Sequence, residues 1–437
     1  MNAVSTPWWL EEALPDEAAP PLARDTQADV AIVGGGYCGL WTALALKERA
    51  PELRVVLVEA ERCGHGPSGL NGGFLHGYWS MLGWLREVLG DERALQLARA
   101  GDGIIPAVRA IREDVWLREA GLLEVATTSE QEQVLARAVE TARELGVPDE
   151  AVPLSPDGVA ERCRSPRFRN GVLFRECATV HPARLARALR RRALDAGVEL
   201  FEHTPANGRE GFVETPSGSI RARDVVLATN VALARERPLA RRIARFSSYV
   251  VLTEPVPELL DEIGWTGGEA ISDGRMFLHY FRTTNDGRVL MGSAGGTRRH
   301  AERGLRLLLP ALADARITHH WGGPIDVSAD RLPIVGSHGR VHHAAGFTGN
   351  GVGPTWLAAQ SLTSLVLEAD DEWSRLPFVG RTVRPLPPRP LKELGGELVR
   401  RSVLAVEEAR EEGRRPPLAA RLGTALPRLT GTRLGLR

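Results

Sequence analysis

The chain has 437 residues, 43% hydrophobic and 25% charged, a globular balance that excludes disorder as its main state. Fifty-five basic residues face 55 acidic ones, so no net field draws it to nucleic acid or to an anionic membrane surface. No run approaches the roughly 20 apolar residues of a membrane helix, and Cys38, Cys63, Cys163 and Cys177 have neither C-x-x-C nor zinc spacing.

A reduced, cytoplasmic protein without a metal site is therefore expected. Residues 1–27 are rich in proline and acidic groups, carry the pair Trp8-Trp9, and read as an arm lying over the body. Residues 28–34 (ADVAIVG) form a buried parallel strand, Tyr37–Arg49 a helix, and residues 54–60 (RVVLVEA) a second buried strand. Together they make a right-handed βαβ unit. Residues 81–150 follow a mainly helical pattern, and 131–145 is closed by Gly146 as 183–196 is by Gly197. Short strands are expected at 199–203, 211–215, 219–223 and 224–229, and a hairpin at 276–282 and 288–294 around Asn285-Asp286-Gly287. A second glycine-rich segment, 345–354 (AGFTGNGVGP), precedes a helix over 355–367, and an amphipathic stretch follows near 391–410.

The expected fold class is α/β with an α+β insertion. A Rossmann-like dinucleotide-binding domain takes residues 28–80, 155–235 and 325–370. A mixed, strand-rich substrate domain takes 81–154 and 236–324, and a C-terminal helical extension takes 380–437.

Chemistry starts at the first turn. Gly34, Gly36 and Gly39 spell G-x-G-x-x-G between strand and helix, which lets a pyrophosphate approach bare backbone at a helix N-terminus. Glu59 ends the second strand 20 residues after Gly39, placed to accept hydrogen bonds from ribose hydroxyls. Both NAD and FAD share that half. The second glycine-rich segment, some 310 residues downstream, favours FAD, because a nicotinamide enzyme has no evident use for it.

Four blocks carry a resemblance. They are 30–59; Ser68-Gly69-Leu70-Asn71-Gly72-Gly73; 224–230 (DVVLATN); and 321–353, with WGGPIDVSADRLPIVG and then AGFTGNGVG. The chain resembles the FAD-dependent D-amino-acid oxidase superfamily in its glycine/sarcosine oxidase-like part, and there the gamma-glutamylputrescine oxidase-like branch. Leu70 replaces an arginine of that branch's S-G-R-N-G-G. The resemblance implies that Ser68, Asn71, Gly72 and Gly73 lie near the pyrophosphate and flavin middle. It implies that Gly349, Asn350, Gly351, Val352 and Gly353 border the flavin pyrimidine ring. It also implies C–N oxidation: a neutral amine gives hydride to flavin N5, water hydrolyses the imine, and O2 or another acceptor reoxidises the flavin. A dehydrogenase, an atypical biosynthetic flavoenzyme (desaturase or N-oxygenating) and a non-catalytic flavoprotein subunit stand as alternatives.

Two absences bear on the substrate. Amino-acid oxidases of the superfamily hold the substrate carboxylate with an arginine where this chain reads Gly323-Pro324-Ile325-Asp326, so an amine without an α-carboxylate is expected. Lys47 and Lys392 are the only lysines, and neither is placed to assist oxygen reduction as a lysine does in some relatives. Tyr280 and Arg282 on the hairpin, His76 after the glycine pair, and Asp326 are the candidate catalytic and substrate-wall residues. His65 and Cys63, in the loop after Glu59, are candidate sites of covalent flavin attachment. The pairs His319-His320 and His342-His343 point to opposite faces if they lie in strands, and so are no metal site.

Overall fold

The structure, a computed structural model, describes residues 6–14, 16–235, 239–388 and 390–429. Parts of the expected arm, substrate domain and C-terminal extension lie outside the described residues: 1–5 and 15, 236–238, and 389 and 430–437.

Two eight-stranded sheets organise the chain. The first runs Ile334–His338, Val341–Ala345, Gly218–Leu227, Thr26–Val33, Val55–Val58, Glu199–Phe201. All neighbours on this path pair in parallel except the first two. Val55–Val58 is buried at every residue, as a strand covered on both faces must be. The helices Tyr37–Arg49, Pro182–Asp195 and Pro354–Val366 share one hydrophobic core with this sheet through Leu40, Leu46, Leu185, Leu189, Leu357 and Leu362. Residues expected as separate strands, 219–223 and 224–229, form one strand, Gly218–Leu227. Its first half pairs with Phe212–Thr215 and its second with Val341–Ala345.

The second sheet runs Ile317–Ser328, Ile243–Thr253, Val289–Ala294, His279–Thr283, Ala270–Asp273, Leu122–Val125, Gly171–Phe174, Val152–Leu154. It is antiparallel except where Ala270–Asp273 meets Leu122–Val125. Two expectations are corrected here. Leu122–Val125 lies inside the stretch read as mainly helical; four residues, three of them apolar, are too few to show a period. Gly171–Phe174, placed with the dinucleotide-binding domain at sequence level, pairs instead with Leu122–Val125. Val172 and Phe174 then bury themselves with Leu122, Leu135 and Val139.

The arm carries a short helix, Trp8–Glu12. The tail forms Leu391–Glu411 and Leu418–Leu429. Among the described residues no helix is long and apolar enough to cross a membrane.

Candidate active site

The first strand ends at Gly34, whose φ of +112° and a gap of only 2.7 Å between a built Cβ and the Ala228 carbonyl oxygen admit no side chain. Gly39 packs directly on the Gly34 carbonyl, which brings helix and strand together. The helix Tyr37–Arg49 begins at Gly36 and so has no side-chain cap of its own. Ser68 supplies one: its Oγ accepts the Tyr37 N–H at 2.9 Å, and the hydroxyl keeps a proton to donate outward. A Cβ at Gly36 would stand 2.9 Å from that same oxygen. The Glu59 carboxylate accepts the N–H groups of Gly35 (2.7 Å) and Glu61 (3.0 Å). Burial still raises its pKa above the ordinary value, the hydrogen bonds opposing.

From this turn a cavity of about 240 Å³ opens between the second sheet and the loops and helix starts that follow the strands of the first. It is lined by Ser68, Asn71, Gly72 and His76 from the first glycine block and its continuation, by Tyr280 from the hairpin, and by Asp326. Gly349, Asn350, Gly351 and Val352 complete it from the far glycine segment. Gly353 stands just behind, at the N-terminus of Pro354–Val366, where a Cβ would strike the His76 carbonyl oxygen. Asn350 Nδ2 donates to the Gly77 carbonyl at 3.1 Å, so the two blocks interlock. Gly73 also lies behind the wall, its carbonyl accepting the Val180 N–H at 2.8 Å.

The candidate catalytic residues divide. Tyr280 faces the cavity, its hydroxyl 2.8 Å from Ser248 Oγ and its pKa raised by burial. His76 also faces it, Nδ1 lying 3.2 Å from the Gly77 carbonyl. Asp326 is buried, which lifts its pKa to about 6 although the Gly346 and Phe347 N–H groups oppose the rise. Its carboxylate takes the Gly346 N–H and its own carbonyl the Thr348 N–H at 2.9 Å, so it fastens the far glycine segment. Arg282 does not line the cavity, a correction. Two residues past Tyr280 on the same strand face, it lies behind Gly73, 1% exposed, donating to the carbonyls of Val180 (2.6 Å) and Gly73 (3.4 Å).

Neither His65 nor Cys63 lines the cavity, and the Cys63 thiol is buried against Gly35 and Glu59 with its pKa pushed up by burial. The geometry gives a tether no support. Lys47 donates to the carbonyls of Pro51 (2.5 Å) and Leu53 (3.0 Å), and Lys392 to those of Ala240 (2.9 Å) and Ile243 (3.0 Å), all away from the cavity. His342 meets Asp224 at 3.2 Å and His320 meets Tyr249 at 3.0 Å. Among the described residues no group of His, Cys, Asp and Glu could hold a metal ion.

Sequence reasoning missed Arg331. The turn after Ile317–Ser328 brings it to the cavity at φ +63°, its guanidinium 5.7 Å from the Trp84 ring centroid. Asn230 and Thr348 line the same cavity with φ of +47° and +55°. Non-glycine residues held in this region gather where function demands them. Asn230 and two further lining residues hold buried atoms without hydrogen-bond partners among the described residues: Asn230 Oδ1, Tyr78 Oη and Ser272 Oγ. Such atoms suit a polar ligand.

Residues 29–365 match the family described as FAD dependent oxidoreductase (DAO). The chain is 31% identical to a probable oxidoreductase OrdL of Rhizobium meliloti over 75% of its own length and 80% of the relative's. It is 28% identical to the gamma-glutamylputrescine oxidoreductase of Escherichia coli, covering 83% and 91%. Among solved structures, glycine oxidase from Geobacillus kaustophilus superposes with a TM-score of 0.68 at 24% identity, over 82% of this chain and all of that one.

Proposed function

Because the chain belongs to the DAO family of FAD-dependent oxidoreductases, we propose that it oxidises the C–N bond of an amine in this cavity. FAD, when bound, supplies the hydride acceptor for the carbon beside nitrogen. The observation that carries the reading is the joining, in one cavity wall, of the Ser68–Asn71 segment, the far glycine segment and the strands of the second sheet.

These residues fit the cofactor. The start of Tyr37–Arg49, with the Ser68 hydroxyl on the Tyr37 N–H and its own proton left to donate, suits phosphate oxygens, and Glu59 suits a ribose. The orphaned Asn230 Oδ1 and Tyr78 Oη suit ring nitrogens and oxygens.

Leu122, Val250, Leu278, Phe74 and Ile325 give the cavity apolar walls that exclude water. Such surroundings disfavour an ammonium, so the amine reacts in its neutral form and no dedicated base is required. Asp326 is occupied by backbone N–H groups and acts by holding the far glycine segment. With Ile325 on the wall and the guanidinium arriving six residues later at Arg331, the substrate we favour lacks an α-carboxylate and carries any anionic group farther along its chain. Similarity to the gamma-glutamylputrescine oxidoreductase supports an amine.

Mixing the holoenzyme anaerobically with a panel of amines tests this. Flavin bleaching by at least one aliphatic amine, with glycine and D-alanine slow, is the expected result; bleaching by none sinks the proposal. Absence of lysine from the cavity favours a dehydrogenase as the second reading. Reoxidation of the reduced enzyme by air in minutes rather than seconds, with peroxide released only at that slow rate, would select it.

A further inference from the structure

The segment that runs from Ser68 to Gly73 is held from behind by its carbonyl oxygens. Leu70 O accepts the Trp321 indole N–H at 2.8 Å, and Asn71 O accepts the Trp9 indole N–H at 3.0 Å. Gly73 O accepts from Val180 and Arg282. One of these donors comes from the arm, outside the dinucleotide fold altogether.

The arm is built into the body. Trp9 is fully buried, its ring edge-on to His181 at 4.6 Å and to Trp321 at 6.4 Å, with the Arg282 guanidinium 5.7 Å from its ring centroid. Leu10 packs on Gly69 so closely that a Cβ there would stand 3.1 Å from Leu10 Cδ2. Glu12 locks the helix down through His181 (2.8 Å) and Arg184 (2.6 Å), and Asp16 follows on Arg191 at 2.8 Å.

Pinning a loop's carbonyls outward aims its remaining polar groups inward. Ser68 Oγ then sits on the Tyr37 N–H, and Asn71 Oδ1 on the Gly73 N–H at 2.8 Å. An indole is well suited to the task, being rigid and donor-only. We propose that Trp9 is a positioning residue of the cofactor site, acting through the Asn71 carbonyl, so that the arm forms part of the flavin-binding apparatus. This rests on the reading that the 68–73 segment borders the cofactor.

The test compares FAD dissociation constants and flavin visible spectra of wild type, Trp9→Phe, Glu12→Gln, Trp8→Phe and Ser68→Ala, with thermal unfolding of each apoprotein. Trp9→Phe keeps a six-membered ring and deletes the donor together with the fused five-membered ring. It should weaken FAD about tenfold and shift the flavin spectrum, Glu12→Gln doing so less, with the apoproteins of Trp9→Phe and Trp8→Phe, which lose the same ring volume, destabilised alike. Trp8 packs on the Trp9 ring (5.0 Å between centroids), on Trp116 and on Arg288, while the indole N–H on the Asn71 carbonyl belongs to Trp9, so Trp8→Phe should weaken FAD less than Trp9→Phe. Unaltered FAD affinity in both Trp9→Phe and Glu12→Gln, or equal weakening in Trp8→Phe, overturns the proposal while Ser68→Ala still loses FAD. Full retention of FAD by Ser68→Ala overturns the site reading and the proposal with it.

Discussion

Gly36 and Arg282 illustrate how differently two residues of one site can act. At Gly36 an added methyl would press on Ser68 Oγ, the atom that caps the helix Tyr37–Arg49. Gly36→Ala should therefore raise the FAD dissociation constant at least about tenfold while the apoprotein still folds, as measured by fluorescence titration and circular dichroism. Arg282 instead satisfies buried carbonyls. Arg282→Met should lower stability by about 1–3 kcal/mol in denaturant titration and leave the KM of the FAD-loaded enzyme within about twofold. Tyr280→Phe should show the reverse pattern. It removes a hydroxyl from the cavity wall, and we expect a change in KM of roughly tenfold with little loss of stability. The glycines and Glu59 were legible in the sequence because their geometry is local: strand, turn and helix lie within some thirty residues. Arg331 was not. It reaches the cavity only because a turn holds it at positive φ, and no spacing announces that.

At the scale of elements, strands bounded by turn residues were readable, and the hairpin His279–Thr283 with Val289–Ala294 formed where Asn285-Asp286-Gly287 marked it. Short strands of the second sheet were not, since Leu122–Val125 and Gly171–Phe174 are held by each other and by Ala270–Asp273 and Val152–Leu154, partners far off in sequence or themselves short. The tail helix Leu391–Glu411 offers a test by pH. It docks by Glu411 on Arg275 (2.6 Å) and by Glu407, which accepts the Met276 N–H at 2.7 Å. Burial pushes the Glu407 carboxyl from 4.5 up to about 7, although Arg275 and backbone N–H groups oppose the rise. A carboxyl raised on folding binds a proton that the unfolded chain has released. Its contribution is fully present below about pH 4.5 and disappears as pH climbs through about 7. Between about pH 5 and pH 8 the melting temperature should fall by several degrees more in wild type than in Glu407→Gln. Parallel slopes for the two proteins would refute the docking account.

The whole molecule is woven rather than strung. The first sheet draws on segments near residues 26–58, 199–227 and 334–345, and the second on 122–174 and 243–328. Neither sheet is complete until the chain has crossed between them repeatedly, and the cavity joins the second sheet to loops that follow strands of the first. Flavin release and loss of ellipticity should accordingly coincide in a denaturant titration, and excess FAD should move both midpoints upward together. Two separated transitions would contradict this. Such long-range assembly is also why the position of the far glycine segment was legible from sequence, while its fastening by Asp326 and Asn350 was not.

The engagement of both lysines with main-chain oxygens has a chemical consequence. Hydrolysis of an imine liberates an aldehyde or ketone, and these condense with side-chain amines. This polypeptide offers two such nitrogens, each already donating to two carbonyls. Prolonged turnover should leave it almost free of adducts, and glutaraldehyde should find little to crosslink.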